Sequence, residues 1–219
     1  MHRRRRTALS FSVALLAAAP LLTACGNDAH PGAAAVVGGQ RIEVSTLQAQ
    51  VRDVRDAQDG SPQSAQLIKN TAQLSQAKLN TMIFDRVLER SAADAGVKVS
   101  RKEIQSARQQ AAAQSGGEKQ FATMLLQQGA LSSGQIDGAI RREVLLTKLA
   151  QAVGANTMTP EGQAKVLARL TATSEKLGVD VNPRYGSWDD KQVRLGETKT
   201  PWITQVTREA PPQQEPTGA

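Results

Sequence analysis

The chain has 219 residues, a formal net charge of +7, 3% aromatic residues, one cysteine and two histidines. A single cysteine excludes a disulfide within the chain and a multi-thiolate metal site. His2 and His30 both precede the body, so histidine-based acid–base, nucleophilic or metal chemistry is excluded there.

Residues 1–24 read as a lipoprotein signal peptide. Arg3, Arg4, Arg5 and Arg6 form a cationic start, and residues 8–22 form an apolar stretch. That stretch is shorter and richer in alanine than a membrane span, which needs about 20 apolar residues. It ends in the lipobox Leu22-Thr23-Ala24-Cys25. Cleavage before Cys25 makes it the first residue of the mature chain, with a sulfur and an amine to acylate. Two or more acyl chains hold a protein stably at a bilayer. The expected place is therefore the extracytoplasmic face of the cell membrane, with the lipid bilayer as partner through acylated Cys25. Arg5-Arg6 matches a twin-arginine signal incompletely. Losing the leader removes four of the 27 basic residues, leaving 23 Lys and Arg against 20 Asp and Glu. Charge then gives no support to nucleic-acid binding, and no basic stripe interleaved with aromatics follows.

Residues 25–34 are the lipidated cysteine and a small, polar, proline-broken tether, which places the body roughly 15–20 Å from its lipid. The body is expected over residues 35–205. It opens with Ala35-Val36-Val37-Gly38-Gly39-Gln40-Arg41-Ile42, a hairpin around a Gly-Gly turn. Ser45-Thr46-Leu47-Gln48 predicts a capping box and a helix to about Asp56, stopped at Gly60-Ser61-Pro62. Asp53, Asp56 and Asp59 alternate with polar residues as on a solvated helix face, not as metal ligands. One long helix is predicted over residues 64–95, closed by Gly96 as a left-handed cap. Ile83, Phe84, Val87, Leu88, Ser91 and Ala95 share a wide arc of it. Met82 falls among the charged residues, and its flexible thioether suits it to touch apolar partners of varied shape.

A second box, Ser100 with Glu103, starts a helix to about Gln114, and Gly116-Gly117 ends it. A short helix over residues 118–128 puts Phe121, Met124 and Leu125 on one face, with Met124 a second candidate contact; Gly129 ends it. Ser132-Ser133-Gly134-Gln135 predicts a third box. The helix behind it is apolar nearly all round over residues 144–149, which reads as burial. Thr159-Pro160 caps a last helix with the stripe Val166, Leu167, Leu170 and Leu177, ended by Gly178. An extended aromatic segment follows. Its Tyr185, Trp188 and Trp202 are expected to dock a returning strand onto the helices, and Tyr185 and Trp188 complete the candidate contacts. Residues 206–219, rich in proline and glutamine, are expected to form a disordered tail. No glycine-rich phosphate loop follows an apolar strand, since Gly38-Gly39 and Gly116-Gly117 read as turns. The fold class is mainly α, with a small β hairpin or strand from the N-terminal and C-terminal segments.

The order of these elements resembles the N-terminal chaperone domain of the SurA family, and more loosely the PrsA-type foldase lipoproteins. The likeness runs over about residues 35–155. It is carried by Val36-Val37-Gly38-Gly39-Gln40-Arg41-Ile42 and by Ala92-Ala93-Asp94-Ala95-Gly96-Val97-Lys98-Val99-Ser100. It continues through Glu103-Ile104 and through Phe121 to Gly129, and reaches Ile140-Arg141-Arg142-Glu143. Val181-Asn182-Pro183-Arg184-Tyr185-Gly186 looks like the end of lipoproteins in this group. The family commonly carries parvulin-type isomerase domains with active-site histidines. The stretch after the helices here is short and has none, so the resemblance implies the chaperone fold without the isomerase. It implies an ATP-independent, non-enzymatic chaperone for unfolded or partly folded secreted proteins. No cofactor, metal, small-molecule substrate or nucleic acid belongs to that reading. The alternative is a structural or assembly lipoprotein dedicated to one folded envelope partner.

Overall fold

Strands β1 (Ala33–Val37) and β2 (Gln40–Glu43) begin the computed structural model, which describes residues 32–196. They pair antiparallel with Val37 opposite Gln40. Gly38 and Gly39 turn between them at φ +58° and +75°, the left-handed pair that a two-residue hairpin requires. The same strand β1 receives β3 (Val179–Val181) along its other edge, so the sheet runs β2-β1-β3. The first and last parts of the body thus close on each other, as the sequence led us to expect. A separate antiparallel pair, β4 (Ser187–Asp189) and β5 (Arg194–Gly196), follows.

Between these strands lie α1 (Val44–Asp59), α2 (Ser64–Asn70), α3 (Leu74–Asp94), α4 (Arg101–Gln114), α5 (Glu118–Gly129), α6 (Ile136–Ala152) and α7 (Pro160–Leu177). The fold is mainly helical with short antiparallel strands. Among the described residues, no helix is long and apolar enough to cross a membrane.

Four local expectations need correction. Helix α1 starts at Val44, with Glu43 as its cap residue and no side-chain cap. Val44 N donates to Gly32 O (2.8 Å), so the strand ladder itself satisfies the helix start and Ser45 lies inside the first turn. The long helix over residues 64–95 is two helices, α2 and α3. Thr71 at the break is captured from α1: Arg55 Nη1 donates to its Oγ1 and Nη2 to its carbonyl, both at 2.7 Å. Thr71 Oγ1 in turn donates to Leu67 O (2.8 Å). The Thr71 carbonyl also accepts from Leu74 N (3.1 Å), a tight turn in place of the continuing helical ladder. The third box is absent, because the Gln135 side chain is used elsewhere: its Oε1 accepts from Lys78 Nζ (2.6 Å) and its Nε2 donates to Gln50 O (2.9 Å). Ser132 Oγ is left buried without a partner. Finally, the left-handed residue after α5 is Ala130 (φ 47°), with Gly129 still helical.

Other punctuation stands. Gly96 (φ +70°) ends α3 with Val97 N donating back to Ala92 O (2.8 Å). Thr159 caps α7 by accepting from Gly162 N (3.1 Å), with Pro160 in the first turn. The box at α4 is complete, with Glu103 N donating to Ser100 Oγ and Ser100 N to Glu103 Oε2.

Lys148 Nζ donates to Glu103 Oε1 (2.7 Å). That bond, with those from Ser100, pulls the Glu103 carboxyl from its usual 4.5 to about 2. A carboxylate lowered by folding stabilises the native state above its unfolded pKa and loses that contribution as pH falls through the folded one. In acid unfolding followed by circular dichroism, Glu103→Gln is therefore expected to be less stable than wild type at neutral pH. The difference shrinks between pH 4.5 and about 2. A constant difference across that window contradicts the assignment.

The core has three buried clusters. The first joins Val37, Ile42, Leu47, Leu79, Ile83, Val181 and Tyr185 across the sheet, α1 and α3. The second joins Val87, Leu88, Leu145, Leu149, Leu170 and Val193 across α3, α6, α7 and the segment before β5. The third is Ala112, Phe121 and Ile136. Helix α3 contributes to the first two, which accounts for its wide apolar arc. The apolar half of α6 is buried at Leu145, Leu149 and Ala150, as expected. On α7, Leu170 is buried, but Leu167 is 43% exposed and leaves the stripe.

Candidate functional site

Tyr185 and Trp188 come together where the segment after α7 lies across α3 and α7. Gly178 (φ +63°) ends α7 and releases the chain into β3. Asn182 then holds the segment to β1: its backbone N donates to Ala34 O (3.0 Å) and its Nδ2 to Ala33 O (3.2 Å). A short 3-10 turn, Pro183–Tyr185, drops the Tyr185 ring into the first cluster, where it is 6% exposed. Gln76 Nε2 on α3 donates to Tyr185 O (3.3 Å).

Trp188 on β4 is half-buried and packs against both the first and second clusters. Its indole Nε1 donates to Ser174 Oγ on α7 (2.8 Å), and Ser174 Oγ donates to Asp190 Oδ1 (2.5 Å). Asp189 Oδ1 caps the turn by accepting from Lys191 N and Gln192 N. Val193 is buried with φ +49°, a left-handed conformation that a β-branched residue adopts only when its surroundings impose it. Leu195 N donates to Asn80 Oδ1 on α3 (2.7 Å).

Beside this seam is a cleft of roughly 270 Å³ between α3 and β5, lined by Gln73, Gln76, Asn80, Arg194 and Leu195. A second cleft of roughly 280 Å³ lies between the β1–β2 turn and α3. There Arg86 covers the outer edge of β2, donating to Gln40 O (3.1 Å) and Arg41 O (3.0 Å). A narrower slot of roughly 110 Å³ separates α3 from α6, bounded by the pairs Asp85–Arg142 and Glu89–Arg141. These rims carry amides, guanidinium groups and carboxylates, which suit hydrogen bonding to a peptide backbone more than an apolar grip. Among the described residues, no group of three or more His, Cys, Asp or Glu could hold a metal ion. Arg108 is committed to Glu118 and to Asp137 (2.6 Å), which raise its affinity for its proton.

The structure distributes the candidate contacts differently from one exposed patch. Tyr185 and Trp188 meet at the seam, docking the returning segment. Met82 is half-buried against the first cluster, and Met124 is half-buried against the third. Cys25 with its lipobox Leu22, Thr23 and Ala24, and likewise Trp202 and the tail 206–219, lie outside the described residues. Sequence reasoning passed over Ser174, Asp190 and Asn80. Ser174 shares a helical face with Leu170 and Leu177, so a hydroxyl on an apolar stripe was the only signal available.

A family model, described as the SurA-like N-terminal domain, matches residues 1–150. The chain belongs to that family. The SurA-type N-terminal domain is chaperone-like, which gives the coarse functional assignment. Helix α7, β3 and the β4–β5 pair lie beyond the matched span. No curated protein and no solved structure matches the chain.

Proposed function

We propose that this SurA-type protein is a membrane-anchored, extracytoplasmic, ATP-independent chaperone that binds unfolded or partly folded exported polypeptides without catalysis. The observation that carries the reading is the family match over residues 1–150. The lipobox ending at Cys25 supports an acyl anchor. Six residues lie between Cys25 and Gly32, where the described chain begins, so an acyl anchor there would keep the body close to the membrane surface. Polar amide-lined clefts favour recognition of peptide groups over particular side chains, as a binder of varied sequences needs.

Purified protein is expected to suppress aggregation of several chemically unfolded clients at near-stoichiometric amounts, read by light scattering, with no nucleotide added. No suppression with any client overturns the chaperone reading. Labelled palmitate entering the wild type but not Cys25→Ser tests the anchor separately.

One observation favours a second reading, a structural lipoprotein for a single folded envelope partner. Among the described residues, the exposed large apolar side chains are Ile68, Met158 and Leu167, a sparse surface for a general holdase. One dominant partner recovered by crosslinking, with no suppression of aggregation, supports this second reading.

A further inference from the structure

We propose that the β4–β5 hairpin, Ser187 to Gly196, is a built-in occupant of the client site. A client binds by displacing it and laying an extended, aromatic-bearing segment across α3 and α7. The inference rests on the chaperone reading and names the site that reading lacks. The described surface has little open apolar area, whereas the largest apolar side chains of the hairpin lie against buried clusters. Trp188 packs on the first and second clusters, Leu195 on the first, and Val193 within the second. Undocking the hairpin exposes the parts of both clusters that Trp188, Val193 and Leu195 cover.

Its attachment suits release. A two-stranded antiparallel pair is not stable by itself in water, so docking is what maintains it. Polar ties from the helices are few: Ser174 to Trp188 and Asp190, Asn80 to Leu195 N, and Thr171 Oγ1 to Lys191 O (3.3 Å). No ion pair holds it to the helices among the described residues. Val193 at φ +49° stores backbone strain that undocking relieves. The cleft lined by Gln73, Gln76 and Asn80 opens along the α3–β5 seam and gives an incoming peptide its first hydrogen-bonding groups. An incoming strand with alternating apolar residues repeats the hairpin's own chemistry, one face on the clusters and the other in water.

The test uses the intact protein carrying Trp202→Phe, so that Trp188 is the only tryptophan. The client is a reduced, carboxymethylated, tryptophan-free ribonuclease labelled with fluorescein, and binding is read by anisotropy. At saturation, Trp188 emission should shift to the red and its acrylamide quenching should rise at least twofold. Gly186→Ala places a Cβ 2.3 Å from Gly196 O and so parts β4 from β5. It should tighten client binding at least threefold. Ser174→Ala, which removes only the hydroxyl tie, should tighten it less. Client binding with Trp188 unchanged, or with equal affinity in wild type and both variants, overturns the displacement proposal and leaves the chaperone reading intact. Absence of binding by wild type and variants alike overturns both.

Discussion

Replacing Gly162 with alanine is expected to destabilise the protein by about 3 kcal/mol, the upper end of what overpacking costs. In a helix interior the same change ordinarily stabilises by about 1 kcal/mol, because glycine loses more backbone freedom on folding. Here sterics reverse the sign. A Cβ at Gly162 would lie 1.8 Å from Asn156 O, 2.4 Å from its carbonyl carbon and 2.8 Å from its N. These are backbone atoms, so no rotamer change relieves the clash.

The loop before α7 is not free to retreat. Asn156 O accepts from Thr159 N (3.1 Å) and Thr159 Oγ1 (3.0 Å), while Gln163 Nε2 donates to Thr157 O (2.9 Å). Moving Asn156 away breaks the arrangement that presents Thr159 as the cap of α7. Gly138 is the matched control, since it lies within α6 and its added Cβ meets nothing within 4 Å. Gly138→Ala should stabilise by up to about 1 kcal/mol. For a domain of this size the two variants should melt on opposite sides of wild type, roughly 6–12 °C below and 2–4 °C above. Equal melting of Gly162→Ala and wild type shows that the loop yields. Because α7 carries Ser174 and Leu170, the destabilised variant should also loosen the hairpin.

What the sequence made legible was punctuation backed by local chemistry. The Gly38-Gly39 turn, the Gly96 cap, the Ser100–Glu103 box and the Thr159-Pro160 start each depend on residues within a few positions of one another. The failures share a different cause. The break between α2 and α3 is dictated by Arg55 and Gln58, thirteen and more residues before Thr71. The missing third box follows from Gln135 serving Lys78, 57 residues away. Long-range capture of a polar side chain overrides a local motif, and a single sequence carries no record of it. Docking of Tyr185 and Trp188 was legible because scarce aromatics gathered after the last helix have few ways to be buried. Their partner Ser174 was not, since nothing local marks a serine on an apolar stripe as a hydrogen-bond hub. Met82 and Met124, singled out for adaptability, lie half-buried at cluster edges.

Lys78 is expected to be a stability defect, and replacing it with methionine should stabilise the protein by about 2 kcal/mol near pH 7. Its side chain is buried, with Gln135 Oε1 accepting one hydrogen bond, and the Arg142 guanidinium opposes it electrostatically. Burial, with the smaller effect of Arg142, lowers its pKa from 10.5 to about 8. At 1.36 kcal/mol per unit, that shift costs about 3 kcal/mol when the ammonium is charged in both states. Methionine keeps the aliphatic length and removes the charge, but leaves Gln135 Oε1 short of a donor, a loss of about 1 kcal/mol. The pH dependence has a definite sign. Below the folded pKa both states bind the proton and the penalty is complete. Between about 8 and 10.5 the unfolded chain binds more protons than the folded one, so wild-type stability rises with pH. Above that window Lys78 is neutral in both states, the penalty vanishes, and its retained bond to Gln135 puts wild type slightly ahead. Urea unfolding of wild type and Lys78→Met at about pH 7 and pH 10 measures the change directly. A difference between the two proteins that does not move with pH refutes the buried ammonium. The residue ties α3, through Gln135, to Gln50 O on α1.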